Sequence, residues 1–217
     1  VKVLDASWHL PNVERNALEE YKLSHITNSI FFDIDKNSNR NTNLPHMLPS
    51  TKEWENIVSN LGINNSDHVI VYDNSDVFSS CRVWYTFLYF GHNPELISVL
   101  DGNFEKWKSE KRSISQEIKK INKSNYIANE NLQLVLSKDQ INKNIISKKF
   151  QLIDARGEKR FLSLQPEPRK DIRSGNIEGS KNLPFQELIN NMEGRTFKKR
   201  EELINIFKER QIFIDRE

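Results

Sequence analysis

Two stretches of this sequence, far apart in the chain, follow one pattern. Residues 3–7 read VLDAS and residues 152–156 read LIDAR, and each stretch is followed by a polar residue and an isoleucine, at 25–26 and at 176–177. In both stretches an apolar run ends in an aspartate, as expected where a buried strand reaches a polar loop. The sequence therefore predicts two copies of one structural unit.

The second copy is expected to be shorter than the first. In the first copy an apolar run at 68–72 closes on Asp73. The same spacing, counted from Asn176, runs past Glu217. We therefore expect the second unit to stop before its own central strand and before the loop that would follow it.

Strands alternate with helices along the first copy. Apolar runs of strand character occur at residues 1–5, 29–32, 69–72 and 96–100. Helical patterns occur at residues 16–23, 50–61 and 79–90, and a last one reaches Trp107. Ser50 and Glu53 have the spacing of a capping box, and Gly62 is a stop signal. The alternation predicts an α/β fold, a parallel sheet flanked by helices, with one complete domain and an incomplete second copy.

The two copies are joined by a polar stretch. Residues 111–124 are rich in lysine, which is typical of a linker. We therefore expect a first domain at 1–112, a linker at 113–125 and a second domain at 126–217. Within the second domain, a strand is predicted at 150–154, and helices are predicted at 137–146, 155–161 and 199–208.

The composition excludes several classes of protein. Of the 217 residues, 36% are hydrophobic and 29% are charged, and no apolar run approaches the ~18 residues of a membrane span. The net charge of +2 gives no sign of a nucleic-acid or membrane partner. Cys81 is the single cysteine, so no internal disulfide or cysteine-rich zinc site can form. We expect a cytoplasmic protein without a metal or a cofactor.

Short motifs recur in order along both units. In the first unit they are LDASW at 4–8, FFDID at 31–35, HMLP at 46–49, VYDNS at 71–75, RVW at 82–84, FGH at 90–92 and LDG at 100–102. In the second unit they are DAR at 154–156, RF at 160–161, QPEPR at 165–169, GNI at 175–177 and NLPF at 182–185. Taken together, they resemble the two-domain rhodanese family. The PEPR segment is most similar to the branch of that family that uses 3-mercaptopyruvate.

The resemblance implies two rhodanese domains, the first non-catalytic and the second with a cysteine on a tight loop after its central strand. Converging backbone N–H groups in such a loop stabilise a thiolate and the persulfide formed on it. The implied activity is a sulfurtransferase that moves sulfane sulfur from 3-mercaptopyruvate or thiosulfate to a thiol or cyanide. The implied partners of a full-length relative are a small-molecule sulfur donor and a thiol acceptor, without nucleic acid or membrane.

The resemblance also implies roles for four side chains. Asp35 and His46 match an acid and a histidine that transfer protons, with the acid orienting the histidine. Arg160 and Arg169 match arginines that bind the carboxylate of the donor. From the residues alone, Asp35 is equally a turn residue, His46 a loop residue beside a proline, and the two arginines surface side chains.

Two positions depart from the family pattern. Asp73 stands where the first domain has its counterpart of the cysteine loop, and Asn176 replaces a family histidine. Cys81 lies eight residues beyond Asp73, out of register with that loop, and is predicted to pack in a helix as a small apolar residue. Because the catalytic cysteine loop is missing from the sequence, we expect this chain to be inactive alone.

Two alternatives to a sulfurtransferase stay open. The chain would be a non-catalytic binding module of rhodanese type, or a decayed remnant with an unpaired sheet edge. A partner whose binding survives alanine substitution of Arg160 and Arg169 would indicate the module. Rapid proteolysis after about Lys149, with the first unit resistant, would indicate the remnant.

Overall fold

The backbone divides into two units, Val1–Val135 and Leu136–Glu217. The computed structural model of the protein describes residues 1–168 and 172–214. Within these residues no helix is long and apolar enough to cross a membrane.

The first unit is built on a four-stranded parallel sheet. Its strands are β1 (Lys2–Asp5), β3 (Ser29–Phe31), β4 (Val69–Tyr72) and β5 (Ile97–Val99), in the order β3-β1-β4-β5. The helices around it are α1 (Ala17–Leu23), α2 (Thr51–Asn60), α3 (Ser79–Tyr89) and α4 (Phe104–Ser109). A short antiparallel pair is formed by β2 (His25–Ile26) and β6 (Ile114–Ser115). The parallel sheet flanked by helices that the sequence predicts is therefore confirmed.

Capping residues determine where the first helices begin and end. The Asn16 side chain accepts a hydrogen bond from the Glu19 amide at the start of α1. Ser50 and Glu53 form the complete capping box at the start of α2. After α2, Gly62 has a φ of +65°, and a Cβ there would lie 2.8 Å from the carbonyl oxygen of Asn122. Only glycine fits this position without strain.

The core of the first unit is aromatic. The fully buried ring of Trp54 in α2 stacks on Phe90 and meets the edge of Phe87, with both centroid distances at 5.0 Å. Val69 and Val71 of β4 are also fully buried. Burying each such side chain stabilises the fold by about 1.5–3 kcal/mol. Because both faces of β4 are covered, its sequence is a continuous apolar run and not an alternating one.

The polar segment predicted as a linker packs along the first unit. The Ser124 amide donates to the carbonyl of Ser59 at 2.9 Å, and the side chains of Tyr126 and Ala128 are 2% and 6% exposed in the main core cluster. We call residues 113–128 the strap. Tyr126 and Ala128 lie beyond the predicted linker, and the division of the backbone into two units falls after Val135. The domain bounds drawn from the sequence stay a prediction.

The second unit holds shorter elements. Its strands are β7 (Ile153–Asp154), β8 (Lys181–Asn182), β9 (Ile189–Asn190) and β10 (Thr196–Phe197), and its helices are α5 (Lys138–Ser147), α6 (Glu158–Phe161) and α7 (Arg200–Glu209). β7 and β8 pair in parallel, and β9 and β10 pair antiparallel. β7 is shorter than predicted because the Asn144 side chain hydrogen-bonds the backbone of Phe150, where a strand partner would otherwise bind. Asn144 donates to the Phe150 carbonyl at 2.9 Å and accepts from its amide at 3.1 Å. α6 starts later than predicted because Asp154 forms a turn with the Arg156 amide.

The two units repeat the same backbone geometry. Corresponding hydrogen bonds join Phe32 N to Asp5 O (2.7 Å) and Leu183 N to Asp154 O (3.0 Å), and Ile63 N to Val58 O (3.3 Å) and Ile212 N to Phe207 O (2.8 Å). α2 and α7 also end alike, since Gly62 has a φ of +65° and Gln211 a φ of +54°. The two units therefore share their local backbone geometry at these places.

Candidate functional site

Three side chains of the first unit form a polar cluster. Asp35 lies in the turn after β3, and His46 Nε2 lies 2.8 Å from Asp35 Oδ1. Trp8 Nε1 donates to the other carboxylate oxygen, Oδ2, at 3.0 Å, and the Trp8 and His46 rings meet edge to face at 4.8 Å. Because a carboxylate only accepts, the neutral tautomer that fits this bond has its proton on Nε2 and its lone pair on Nδ1. The structure thus brings together the two residues that the sequence singled out.

The backbone at His46 is held in an uncommon conformation. Its φ of +55° is left-handed, which costs about 1–2 kcal/mol for a residue other than glycine. Arg82 of α3 donates from Nη2 to the His46 carbonyl oxygen. This bond fixes the loop that presents the imidazole. The RVW motif contained Arg82, but nothing in the sequence indicated what it contacts.

The loop after β4 supports Trp8. The Ser75 hydroxyl donates to the Trp8 carbonyl at 2.6 Å and accepts from the Trp8 amide at 2.7 Å. Asp73, at the end of β4, accepts from the amides of Ser75 and Ser80 at 2.9 and 2.7 Å. Asp73 occupies the position that corresponds to the cysteine loop of the second domain in the family pattern. Here its carboxylate orders the start of α3.

Cys81 lies inside α3. Burial, and secondarily the charge of Asp73, raises the pKa of the Cys81 thiol. The thiolate is the nucleophilic form of cysteine, so this environment opposes reactivity. The position agrees with the expectation that Cys81 packs as a small apolar residue.

In the second unit, arginines converge on one carboxylate. The Glu167 side chain is only 4% exposed. Arg156 Nη1 donates to its Oε1 at 2.8 Å, and Arg160 donates to its Oε2 from Nε, at 3.2 Å, and from Nη2. The hydrogen bond from Arg160, followed by the charges of both arginines, lowers the pKa of Glu167. Glu167 therefore stays ionised and positions both guanidinium groups.

The other predicted positions in the second unit have different outcomes. Arg169 lies outside the described residues. The Asn176 side chain donates to the Phe161 carbonyl at 3.0 Å and so fastens its loop to the end of α6. Sequence reasoning missed Glu167 as the partner of Arg160, although the acid between two prolines in QPEPR was the available signal. In the described part of the chain, no group of three or more His, Cys, Asp or Glu side chains could hold a metal ion.

Comparisons with known proteins agree with this architecture. Residues 13–110 match the rhodanese-like domain family. The thiosulfate/3-mercaptopyruvate sulfurtransferase 2 of Arabidopsis thaliana is 39% identical over 99% of this chain and 68% of its own length. The mitochondrial sulfurtransferase 1 of that plant is 38% identical, and the chain spans 62% of its length. The mouse 3-mercaptopyruvate sulfurtransferase is 37% identical over 98% of this chain and 71% of its own length.

Solved structures show the same similarity. The Tum1 protein from Saccharomyces cerevisiae superposes with a TM-score of 0.86 and 31% identity, over 99% of this chain and 75% of the yeast chain. SseA from Escherichia coli, described as a 3-mercaptopyruvate sulfotransferase, gives a TM-score of 0.87 and 30% identity, over 99% of this chain and 79% of its own. The chain therefore belongs to the family of rhodanese-type thiosulfate and 3-mercaptopyruvate sulfurtransferases.

Proposed function

We propose that this chain supplies the proton-transfer and donor-binding parts of a sulfurtransferase that uses 3-mercaptopyruvate or thiosulfate. Family membership supports the reaction class, and the 2.8 Å hydrogen bond between His46 and Asp35 is the observation that carries the mechanism. A neutral imidazole oriented by a carboxylate is suited to accept and return a proton near neutral pH.

The proton has a defined route when 3-mercaptopyruvate is the donor. A cysteine thiolate attacks the donor sulfur, the C–S bond breaks, and its electron pair stays on the methylene carbon as the enolate of pyruvate. The proton of the donor thiol must then reach that carbon to give pyruvate and a persulfide. We assign this transfer to His46 Nδ1, with Asp35 holding the ring in the required tautomer.

The donor carboxylate, or the oxyanion of thiosulfate, is assigned to Arg160 and Arg169. The Arg160 side chain is 31% exposed, and its bonds to Glu167 use Nε and Nη2. Among the described residues its Nη1 group donates no hydrogen bond, so we assign this group to the anion, and Glu167 fixes the direction in which it points. The resemblance supports the same role for Arg169.

We further propose that the 217 residues alone do not turn over either donor. The sequence contains one thiol, and burial raises the pKa of that thiol, Cys81. A thiol kept protonated inside a helix is a poor sulfur acceptor.

Turnover assays test this. Pyruvate release from 3-mercaptopyruvate, and thiocyanate release from thiosulfate with cyanide, should be the same in the chain and in Cys81→Ser. Release that disappears in Cys81→Ser would make Cys81 the sulfur carrier and overturn the proposal. Turnover does not separate this proposal from a binding module, because neither releases product; donor binding that depends on Arg160 does separate them, because a module of another function need not bind the donor.

The proton-transfer pair is tested by the ¹⁵N chemical shifts of the His46 ring, which distinguish its two neutral tautomers. The ring should carry its proton on Nε2, and Asp35→Asn should mix the tautomers. An unchanged tautomer in Asp35→Asn would remove Asp35 from its orienting role.

Donor binding is tested by titrating thiosulfate and pyruvate into the chain by NMR. Arg160→Ala should raise the dissociation constant by about tenfold or more. Arg210→Ala is the matched control, since Arg210 pairs with Glu187 at 2.6 Å in the same unit and should change the constant less than about twofold. Equal effects of the two substitutions would exclude Arg160 as a specific ligand.

A further inference from the structure

The carboxylate of Asp35 is held on both of its oxygens. His46 Nε2 lies 2.8 Å from Oδ1, and Trp8 Nε1 donates to Oδ2 at 3.0 Å. The Asp35 side chain is 66% exposed, whereas that of His46 is 21% exposed. A pair that is this accessible to water biases an equilibrium by no more than about fivefold on its own. The contact between Asp35 and His46 alone therefore gives little control over the imidazole.

Trp8 supplies the control that an exposed pair lacks. The torsion that turns a carboxylate about its Cβ–Cγ bond has a broad range, so an exposed aspartate does not by itself keep one oxygen directed at a neighbour. The indole N–H of Trp8 occupies Oδ2 and leaves Oδ1 directed at His46. The indole also meets the imidazole edge to face at 4.8 Å, which is a favourable aromatic geometry. One side chain thus constrains both members of the pair.

The backbone of Trp8 is fixed by the loop after β4. Ser75 is 1% exposed, and its hydroxyl donates to the Trp8 carbonyl at 2.6 Å and accepts from the Trp8 amide at 2.7 Å. The Ser75 amide in turn donates to the Asp73 carboxylate at 2.9 Å. A buried hydroxyl bonded to both backbone groups of one residue leaves that residue little freedom to move. The loop that contains Asp73 is therefore connected through Trp8 to Asp35.

We propose that Trp8 is a positioning residue for the proton transfer assigned to His46. Its indole N–H selects the oxygen of Asp35 that faces the imidazole, and this selects the ring tautomer that has its proton on Nε2. Ser75 contributes by holding the Trp8 backbone. This role rests on the proposed function, since it concerns the base assigned there.

The ¹⁵N chemical shifts of the His46 ring in the 217-residue chain measure the effect of the indole N–H. Trp8→Phe removes this N–H and keeps an aromatic ring beside His46. The ratio of the Nε2-protonated to the Nδ1-protonated tautomer should fall by about threefold or more, because the Asp35 carboxylate is then held by the exposed pair alone.

Trp107→Phe is the matched control for this substitution. The Trp107 indole N–H donates to the Ser113 carbonyl at 2.9 Å in the same unit, so the change also removes one indole hydrogen bond. Because Trp107 shares no hydrogen-bond partner with Asp35 or His46, its loss should alter the tautomer ratio by less than about 1.5-fold.

Ser75→Ala tests the support of the Trp8 backbone. It should lower the same ratio by about twofold or more, because the amide and the carbonyl of Trp8 lose their shared partner. Ser59→Ala is the control, since Ser59 is also buried and its hydroxyl accepts from a backbone amide, that of Tyr126, at 3.0 Å. Ser59→Ala should leave the ratio unchanged.

A second measurement leaves Trp8 in place. In Asp35→Ala the Trp8 indole N–H loses its acceptor, and it should exchange with water faster by about fivefold or more. The indole N–H of Trp107 should exchange at an unchanged rate in the same variant.

A ratio that falls in Asp35→Asn but not in Trp8→Phe would overturn the role of Trp8 and leave the proposed function standing. A ratio that stays unchanged in both variants would overturn the two together. Equal changes in Trp8→Phe and Trp107→Phe would also overturn the role, because they would reflect a general loosening of the first unit. If Trp8→Phe does not fold, an indole exchange rate that Asp35→Ala leaves unchanged would still refute it.

Discussion

Replacement of Glu167 by glutamine is the sharpest test of how the second unit holds its arginines. The amide keeps the volume of the side chain but removes the charge that Arg156 and Arg160 share. Breaking a fully buried ion pair costs about 3–5 kcal/mol. The two arginine side chains are 29% and 31% exposed, so water recovers part of this cost, and we expect a loss of about 1–3 kcal/mol.

The assay must report on the second unit alone. All four tryptophans, at positions 8, 54, 84 and 107, lie in the first unit, so fluorescence does not follow the second. Hydrogen exchange measured by mass spectrometry on segments from residues 150–190 follows the second unit. A loss of about 1–3 kcal/mol should accelerate exchange there by about 5- to 150-fold.

Glu187→Gln is the matched control for this substitution. It breaks an ion pair with Arg210 in which both side chains are more than 30% exposed, which is worth less than about 1 kcal/mol. If Glu167→Gln accelerates exchange no more than Glu187→Gln does, the reasoning that Glu167 organises the cluster is refuted.

The same pair also gives a pH dependence. The arginines lower the pKa of Glu167 below its ordinary value, which is about 4.3 in an unfolded chain. Because the folded state binds this proton more weakly, the contribution of Glu167 is present above about pH 4.3 and is lost as the pH falls through the folded pKa. The free energy of opening of the second unit, obtained from exchange rates corrected for the intrinsic rate at each pH, should therefore fall below about pH 4 in the natural chain, and less so in Glu167→Gln.

Three further experiments test the rest of the fold. Leu4→Ala removes a fully buried side chain of β1 and should lower the free energy of unfolding of the first unit by about 2–5 kcal/mol. Urea unfolding monitored by tryptophan fluorescence measures this loss. Leu23→Ala, at a side chain that is 68% exposed, should change it by less than about 0.5 kcal/mol. Gly91→Ala and Gly179→Ala both place alanine at a positive φ, which costs about 1–2 kcal/mol. Gly91→Ala should lower the melting temperature more than Gly179→Ala, because only at Gly91 would the new Cβ lie 2.6 Å from a carbonyl oxygen. Alkylation of Cys81 by iodoacetamide at neutral pH should be about tenfold slower in the folded than in the unfolded chain, since burial raises the pKa of the thiol; similar rates would contradict this assignment.

The parts of the fold that sequence predicts well are those set by local chemistry. Ser50 and Glu53 mark the start of α2 because the capping box joins residues three positions apart. The apolar run of β4 identifies a strand covered on both faces. For the site, Asp35 and His46 were indicated by the resemblance to the rhodanese family and not by any local pattern, and the structure joins them by a hydrogen bond.

The parts that sequence misses depend on distant contacts. Trp8 bonds to Asp35 across 27 positions, and Arg82 bonds to the carbonyl of His46 across 36. Neither pairing leaves a periodic or local signal, since it exists only after the sheet brings the loops together. The sequence likewise placed Tyr126 at the start of the second domain, because nothing local indicates that its ring is buried in the core of the first unit.

The strap also determines where the chain can be truncated or cleaved without loss of the first unit's core. A fragment ending at residue 112 would lose Tyr126 and expose the surface that its ring covers, so a first unit made for separate study must extend to Val135. The backbone at Lys119 and Lys120 is exposed, and trypsin cleavage there would turn a contact within one polypeptide into an association between two. The two pieces would then hold together only through the contacts of the strap beyond the cut, such as the Ser124 hydrogen bond and the buried Tyr126 and Ala128 side chains. Dilution would separate the pieces once the effective concentration supplied by the intact backbone is gone.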